Sequence, residues 1–202
     1  MTSPLYHHGN LRETLLQHAE QVVATEGSEK LSLRELARVA GVSHGAPRTH
    51  FATREDLLEA VALRGFDRLD DTLRAAVAGA GAHFTDRAMA VSRAYIRFVM
   101  QHPLLVELMY SQIRSIDDEA LEEPPATKPR AYDHFERLLI EGQREGLIVS
   151  GPGDVVGLPY FAAIHGAAIL LASGAVPIRQ LDEVIANVTR YALRGIEVDR
   201  RE

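Results

Sequence analysis

The 202-residue sequence contains no cysteine, which excludes disulfide bonds and thiolate chemistry and is typical of a cytoplasmic protein. No segment approaches the roughly 20 apolar residues of a membrane span, because the longest apolar stretch, 153–174, contains Asp154 and His165. The sequence also begins without a basic and apolar signal segment. We therefore expect a cytoplasmic protein with no membrane partner.

Catalytic and metal-binding patterns are missing as well. No serine lies in a nucleophile elbow, and no glycine-rich phosphate loop follows a strand. Among the nine histidines, His7 and His8 are adjacent rather than four residues apart, and no cysteine or carboxylate completes a ligand set. We expect no catalytic residue, no metal site, no cofactor and no enzyme activity.

The charge is unevenly distributed along the chain, whose net charge is −6. Residues 30–54 carry five basic residues and one acidic residue, so this window is +4 and the remainder is −10. The basic residues are Lys30, Arg34, Arg38, Arg48 and Arg54. A local basic face is enough for phosphate binding, although a solvated helix surface is the alternative interpretation.

The spacing of residues 32–51 predicts a helix-turn-helix, in which the second helix enters the DNA major groove. Ser32 and Glu35 have the spacing of a capping box. Apolar residues then recur at helical spacing up to Gly41, which suits the left-handed position after a helix. Ser43 is the predicted N-cap of the second helix.

Helical periodicity places four groove-facing candidates on one side of the second helix, namely His44, Gly45, Arg48 and Thr49. Pro47 and Phe51 fall on the other side and are predicted to be core. Arg48 has the donors for a bidentate contact with guanine, with a phosphate contact as the alternative. Predicted contacts with the DNA backbone are Arg34, Ser43, His50 and Arg54, and further candidates, with a disordered arm as the alternative, are Tyr6, His7 and His8.

The whole chain is predicted to be helical, without strands or repeats. Beyond the motif, helices are expected over 11–25, 53–79, from 85, 103–113, 130–145, 154–172 and 180–195, with a loop at 115–129. We predict an N-terminal helix-turn-helix domain over 1–52 and a C-terminal helical domain over 53–202. The glycine-bearing segment 79–81 is the expected joint.

The sequence resembles the TetR family of transcriptional repressors. The matching segments are 6–11, 31–37, 41–43, 50–51 and 57–58, with weaker matches at 102–104 and 164–166. The last two resemble a subgroup whose C-terminal domain carries Trp-His-Gly, although Ile164 replaces the tryptophan. A second departure is Arg48, where the subgroup usually has tyrosine.

The resemblance implies a homodimeric, DNA-binding repressor that binds a palindromic double-stranded operator and is released by a small, apolar effector. The expected ligand-lining residues are Tyr95, Phe98, Val99, Leu105, Leu108, Met109, Phe135, Leu139, Phe161 and His165. The expected dimer-interface residues on the last two helices are Ala168, Ile169, Ala172, Ile185, Val188 and Ala192. All of these residues would also serve as ordinary core, and an all-α enzyme or ligand carrier with an incidental helix-turn-helix is the alternative.

Overall fold

A computed structural model describes residues 11–114 and 130–198. These ranges confirm the all-helical prediction, since their only β-type pairing is an isolated bridge between Ile148 and Glu197. The α-helices are α1 (Leu11–Glu26), α2 (Leu33–Val39), α3 (Arg54–Ala78), α4 (Phe84–Gln101), α5 (Pro103–Arg114), α6 (Arg130–Arg144), α7 (Gly153–Ala172) and α8 (Leu181–Arg194). Short 3-10 helices are Ser28–Lys30, Ala46–Thr49 and Ile178–Gln180. The predicted 115–129 loop, Tyr6, His7 and His8 lie outside the described residues.

The described chain divides into two compact units. The first comprises residues 11–65 and 104–114, and the second comprises 66–103 and 130–198. Helix α3 contributes to both, because the division falls between Gly65 and Phe66. The compact units therefore do not follow the predicted boundary after residue 52. The turn at 79–81 lies inside the second unit, and the division into domains at 52 and 53 stays a prediction.

The first helix of the motif, α2, ends as its sequence predicts but begins differently. Gly41 adopts the expected left-handed conformation, with φ of 68°. The predicted capping box is wrong, because the Ser32 side chain makes no cap hydrogen bond. The Glu35 carboxylate instead accepts from the Arg38 guanidinium, whose Nε lies 3.0 Å away. A charged fork one turn along the helix competes successfully with a backbone amide.

The second helix of the motif is the 3-10 turn Ala46–Thr49, which is shorter than the α-helix that we predicted. The Arg48 amide donates to the Gly45 carbonyl at 3.2 Å, and the Phe51 amide closes the segment on the Pro47 carbonyl at 2.9 Å. Pro47 has no amide hydrogen, and Gly45 disfavours helix, so the segment lacks the donors and the propensity for a longer helix. Its N-cap position is Gly45, with no side-chain cap, rather than Ser43.

Helix α3 begins at a reciprocal pair of hydrogen bonds, as the sequence predicts. The Thr53 hydroxyl accepts from the Asp56 amide at 3.0 Å, and the Asp56 carboxylate accepts from the Thr53 amide at 3.0 Å. Two amides that a helix start leaves without intrahelical partners are satisfied in this way. The helix then continues for 25 residues.

The core of the second unit is built around α4, which packs against α6, α7 and α8. The predicted apolar face of α4 is confirmed, since its members are buried: Ala88, Val91, Tyr95, Phe98 and Val99. This arrangement places the buried aromatic side chains of α4 toward the helices around it.

Helix α7 is more apolar than we expected. Within the described residues, Val155–Ala172 is the one helical segment that is long and apolar enough, by length and composition, to cross a membrane. The expectation that no segment comes close to a span is therefore wrong. Only 39% of this segment is buried inside the chain, so much of its apolar surface is exposed.

The side chains of Ile148 and Phe84 pack closely against Gly142 on α6, and a substitution there tests this packing. A methyl group there would lie 2.6 Å from Ile148 Cγ1 and 2.8 Å from Phe84 Cε2. Gly142→Ala should lower the free energy of unfolding by about 1–3 kcal/mol in denaturant titrations, because overpacking forces neighbours apart. In Gly79→Ala the methyl would meet only backbone oxygens, the nearer at 3.6 Å, so a change within about 0.5 kcal/mol is expected. Equal stabilities for the two variants would contradict this packing.

Candidate DNA-binding surface and C-terminal core

The 3-10 turn and its flanks separate buried anchors from exposed polar residues. Pro47 and Phe51 are buried, as predicted. The predicted DNA contacts in this segment are all exposed: Ser43, His44, Gly45, Arg48, Thr49 and His50. The Thr49 hydroxyl donates to the Ala46 carbonyl at 2.7 Å, which closes the turn on itself.

Two arginines of the basic window extend from this surface. Arg34 on α2 and Arg48 on the turn are exposed, and neither forms a hydrogen bond or ion pair within the described part of the chain. Arg38 differs, because its guanidinium lies 2.6 Å from the Glu35 carboxylate. A phosphate or a base edge would therefore meet Arg34 and Arg48 without displacing a partner from residues 11–114 or 130–198.

Arg54, which the sequence suggested as a phosphate contact, forms hydrogen bonds with backbone carbonyls of the protein. Its Nε donates to the Leu31 carbonyl at 3.0 Å and its Nη2 to the Ser28 carbonyl at 2.6 Å. Its Nη1 also lies 3.6 Å from Glu55. The predicted phosphate contact was meant to explain a cation at a helix N-terminus, where the dipole is unfavourable. Backbone carbonyls supply that compensation here, so we interpret Arg54 as a structural anchor, and its phosphate contact stays a prediction.

Further contacts of the first unit were not found by sequence reasoning. The Arg12 guanidinium lies over the Phe51 ring, 5.1 Å from its centroid. The Arg64 guanidinium lies 2.8 Å from Glu13 and 2.7 Å from Glu20. These charged contacts join α1 to Phe51 and to α3, and no local spacing reveals pairs so distant along the chain.

The predicted ligand-lining residues are divided between the two units. Leu105, Leu108 and Met109 lie in the first unit, whereas the other seven lie in the second. Met109 packs at Gly65 of α3, where an added methyl group would lie 2.7 Å from its sulfur. Of the ten residues, only Phe161 and His165 are not fully buried. Most of the predicted lining therefore fills core.

An aromatic cluster forms where α4, α6 and α7 meet in the second unit. Tyr95 packs edge-on against Phe135, with ring centroids 5.5 Å apart, and against Phe161 at 5.6 Å. Phe161 stacks on His165 with an interplanar angle of 21°. These are the separations at which aromatic pairs attract.

The cluster contains one hydrogen bond between a phenol and an imidazole. The Tyr95 hydroxyl lies 2.7 Å from His165 Nδ1. Burial lowers the pKa of His165, which favours the neutral imidazole at pH 7 because a charge is costly among aromatic rings. A neutral, half-buried imidazole can exchange hydrogen bonds with an uncharged ligand.

Two buried polar pairs of the second unit were also missed. The Ser92 and Tyr160 hydroxyls lie 2.7 Å apart and join α4 to α7. His134 Nε2 lies 2.7 Å from Asp70 Oδ1 and joins α6 to α3. Each pair links helices through residues that lie 64 or more positions apart.

The predicted dimer residues do not share one accessible face. Ala168 and Ile185 have no exposed surface within the chain, so their assignment to an interface is corrected to core. Ile169 is exposed, and Ala172 and Ala192 are half-buried. Val188 lines an open groove of about 410 Å³ together with α7 and α8 neighbours.

The exposed apolar residues of α7 instead form a stripe that sequence reasoning missed. Helical spacing places them on one face, opposite buried Tyr160, Ile164 and Ala168. We call the exposed side the α7 stripe, and its members are Val155, Leu158, Ala162, Ile169 and Leu170. Val155 and Leu158 are 65% and 59% exposed. Tyr191 on α8 is exposed as well.

Metal chemistry finds no support within residues 11–114 and 130–198. No group of three or more histidine, aspartate or glutamate side chains in these ranges has the geometry of a metal site. The polar groups described above are paired within the protein or lie on the surface of the helix-turn-helix.

Two family models match the chain. One, described as bacterial regulatory proteins of the tetR family, matches residues 15–61. The other, described as a tetracyclin repressor-like C-terminal domain, matches residues 88–193. The first spans the helix-turn-helix and the start of α3, and the second spans more than half of the chain, from α4 to α8.

Three individual proteins are similar to this chain in sequence or in structure. The HTH-type transcriptional regulator AlkX of Mycobacterium tuberculosis is 26% identical over 99 residues, which is 49% of this chain and 47% of that protein. The chain thus matches about half the length of this curated relative. A protein of unknown function from Rhodococcus sp. RHA1 is 36% identical, with a TM-score of 0.79 over 97% of this chain and 100% of that one. A TetR family transcription regulator from Marinobacter aquaeolei VT8 shares the fold, with 19% identity and a TM-score of 0.72 over 94% and 96%.

The contacts of Arg54 generate a test of its role. Arg54→Ala should lower the free energy of unfolding by about 1–3 kcal/mol, because two backbone carbonyls lose a charged donor. Arg34→Ala removes an exposed arginine without a described partner, so its stability should stay within about 0.5 kcal/mol of the parent. Denaturant unfolding followed by circular dichroism measures both. If Arg54→Ala is as stable as Arg34→Ala, Arg54 is not an anchor.

Proposed function

The chain belongs to the TetR family of bacterial transcription regulators and carries its DNA-binding helix-turn-helix, and from this premise we propose a ligand-responsive, cytoplasmic repressor. It binds a palindromic operator as a homodimer. A small molecule in the C-terminal domain releases it from the DNA. Such a response requires two states that differ in their affinity for the ligand. The assignment to the Trp-His-Gly subgroup stays a prediction.

The observation that carries the DNA-binding proposal is the surface around the 3-10 turn. Pro47 and Phe51 are buried and anchor the turn to the protein core. Arg34 on α2 and Arg48 on the turn are exposed and have no partner among the described residues. We assign Arg34 to the DNA backbone, together with Ser43 and His50. We assign Arg48 to a base, with His44, Gly45 and Thr49 beside it in the groove.

The α7 stripe supports a second copy of the chain as the partner. The stripe is continuous along the helix and contains no charged residue, and such a surface is normally covered in a folded protein. Two half-sites of a palindrome lie about 34–36 Å apart and need two recognition elements related by symmetry. We propose that the α7 stripe and Tyr191 of two chains pack together.

The aromatic cluster is the proposed effector site. Of the ten predicted lining residues, Phe161 and His165 are the two that are half-buried rather than buried. Both belong to the aromatic cluster, so we place the entry for a ligand at these two side chains. Aromatic walls favour an apolar ligand, and the Tyr95–His165 pair offers one point of hydrogen bonding. An uncharged apolar molecule with one donor or acceptor fits this chemistry.

A gel shift with genomic fragments tests the proposed function. The parent protein should retain a subset of fragments at physiological salt, and Arg48→Ala should weaken binding to those fragments by about 1–3 kcal/mol because a base contact is lost. Binding to random DNA should change little.

The matched variant is Arg34→Ala, which should weaken specific and random DNA alike and reduce the log–log salt slope by about 0.9, as one lost phosphate contact does. Equal losses on both DNAs for Arg48→Ala would assign it to the backbone. A parent protein that retains no fragment would favour the alternative of a carrier or enzyme.

The proposed dimer generates a separate test. Leu170→Glu places a charge on the α7 stripe, where Leu170 is 50% exposed, so the variant should fold as a monomer and lose operator binding. Light scattering measures the mass and circular dichroism measures the helix content.

The control is Val149→Glu, which also places a charge at an exposed apolar residue but lies in the connection between α6 and α7. This variant should remain dimeric. A parent chain that is monomeric at micromolar concentration, or a dimeric Leu170→Glu variant, would show that the stripe is not the interface.

A further inference from the structure

One cation of the first unit lies beside the 3-10 turn Ala46–Thr49 without belonging to the basic window of residues 30–54. Arg12 is the second residue of α1, and α1 packs against the turn. Its guanidinium carbon lies 5.1 Å from the centroid of the Phe51 ring. Phe51 directly follows His50, which we assigned to the DNA backbone, so the charge of Arg12 is held next to the proposed DNA-binding surface.

The Phe51 ring occupies the flat face of the Arg12 guanidinium and leaves its edges available. A cation–π contact uses that face, whereas the five N–H donors of the group lie in its plane. Arg12 is exposed, and its side chain makes no hydrogen bond or ion pair with another described residue. A phosphate would therefore accept from these donors while the guanidinium stays on the ring.

The acidic neighbour of Arg12 directs its hydrogen bonds to other residues. The Glu13 carboxylate accepts from Arg64 at 2.8 Å and from Gln17 at 2.9 Å. The Arg64 hydrogen bond is the main cause of the lowered pKa of Glu13, and Arg12 contributes least to it. The first turn of α1 thus carries a cation without a hydrogen-bonded anion, at the end of a helix where the dipole disfavours positive charge. A DNA phosphate would compensate that charge.

We propose that Arg12 donates to a phosphate of the operator backbone and that the Phe51 ring orients its guanidinium for this contact. The proposal rests on the DNA-binding function proposed above and adds a contact from α1 to those of α2 and the 3-10 turn. The contact carries no sequence information, because every nucleotide presents the same phosphate. In the alternative, the apolar stem of Arg12 only covers the ring.

The experiment measures the dissociation constants of the full chain for a genomic fragment that the parent protein retains and for random DNA. Fluorescence anisotropy at several salt concentrations gives both affinities and their log–log salt slopes. Arg12→Met keeps an apolar stem over the Phe51 ring but removes the charge. It should weaken binding to both DNAs by about fivefold at physiological salt and reduce the slope by about 0.9, as one lost phosphate contact does. Arg12→Lys keeps the charge and should restore the slope.

The matched control for the loss of one positive charge is Arg144→Met. Arg144 is exposed in the last turn of α6 and has no partner among the described residues, and α6 carries no predicted DNA contact. This variant should leave both affinities and the salt slope close to those of the parent. Denaturant unfolding should give similar stabilities for Arg12→Met, Arg144→Met and the parent, so that the affinity loss in Arg12→Met does not come from unfolding.

The orienting role of Phe51 is tested in a double-mutant cycle. Arg12→Met should weaken DNA binding less in a Phe51→Leu background than in the parent, because a guanidinium without the ring loses more rotamer freedom on binding the phosphate. Equal losses in the two backgrounds would overturn the orienting role. If Phe51→Leu does not fold, Arg12→Lys decides, since an ammonium stacks on a ring less well than a guanidinium. A Lys variant with the full affinity of the parent would overturn that role.

The phosphate contact itself has separate outcomes. An unchanged salt slope in Arg12→Met, or an affinity loss confined to the retained fragment, would overturn the contact while leaving DNA binding by the parent protein intact. A parent protein that binds no DNA would overturn both this proposal and the proposed function.

Discussion

The presentation of the helix-turn-helix depends on how the first turn of α3 is held. The Arg54 guanidinium reaches back to the carbonyls of Ser28 and Leu31, which follow α1 and precede α2. The same turn is closed by the reciprocal bonds of Thr53 and Asp56. Both sets of hydrogen bonds fix the start of α3 to the backbone. Of the other arginines in the window, Arg38 pairs with Glu35, whereas Arg34 and Arg48 have no partner among the described residues.

Local patterns predicted the elements whose causes are local. The apolar periodicity of α4, the left-handed glycine after α2 and the cap of α3 each depend on residues within a few positions of one another. The Ser32 capping box was wrong because Arg38 competed for Glu35. The role of Arg54 was missed because its acceptors lie 23 and 26 residues earlier in the sequence. Helical periodicity relates only residues a few positions apart, so it cannot reveal such a contact.

In the C-terminal helices, the sequence pattern fails to predict which side chains are buried. Helix α7 is apolar on nearly all sides, so its sequence has no polar face to distinguish the inside from the outside. Ala168 is buried and its neighbour Ile169 is exposed, and only the packing of α4 and α8 decides between them. Most of the predicted lining residues are buried, and the sequence could not separate a ligand site from core there, because an apolar ligand and an apolar core are contacted by the same kinds of side chain.

The recognition segment is a four-residue turn clamped by Pro47 and Phe51, not a long helix with a stability of its own. Its exposed side chains contribute few packing contacts, so they are free to vary while the two anchors preserve the backbone. If this turn reads the operator as proposed, substitutions there would alter which bases are read at little cost in folding. A gene duplicate of this protein would then acquire a new operator through a few exchanges on that turn, with its C-terminal domain unaltered.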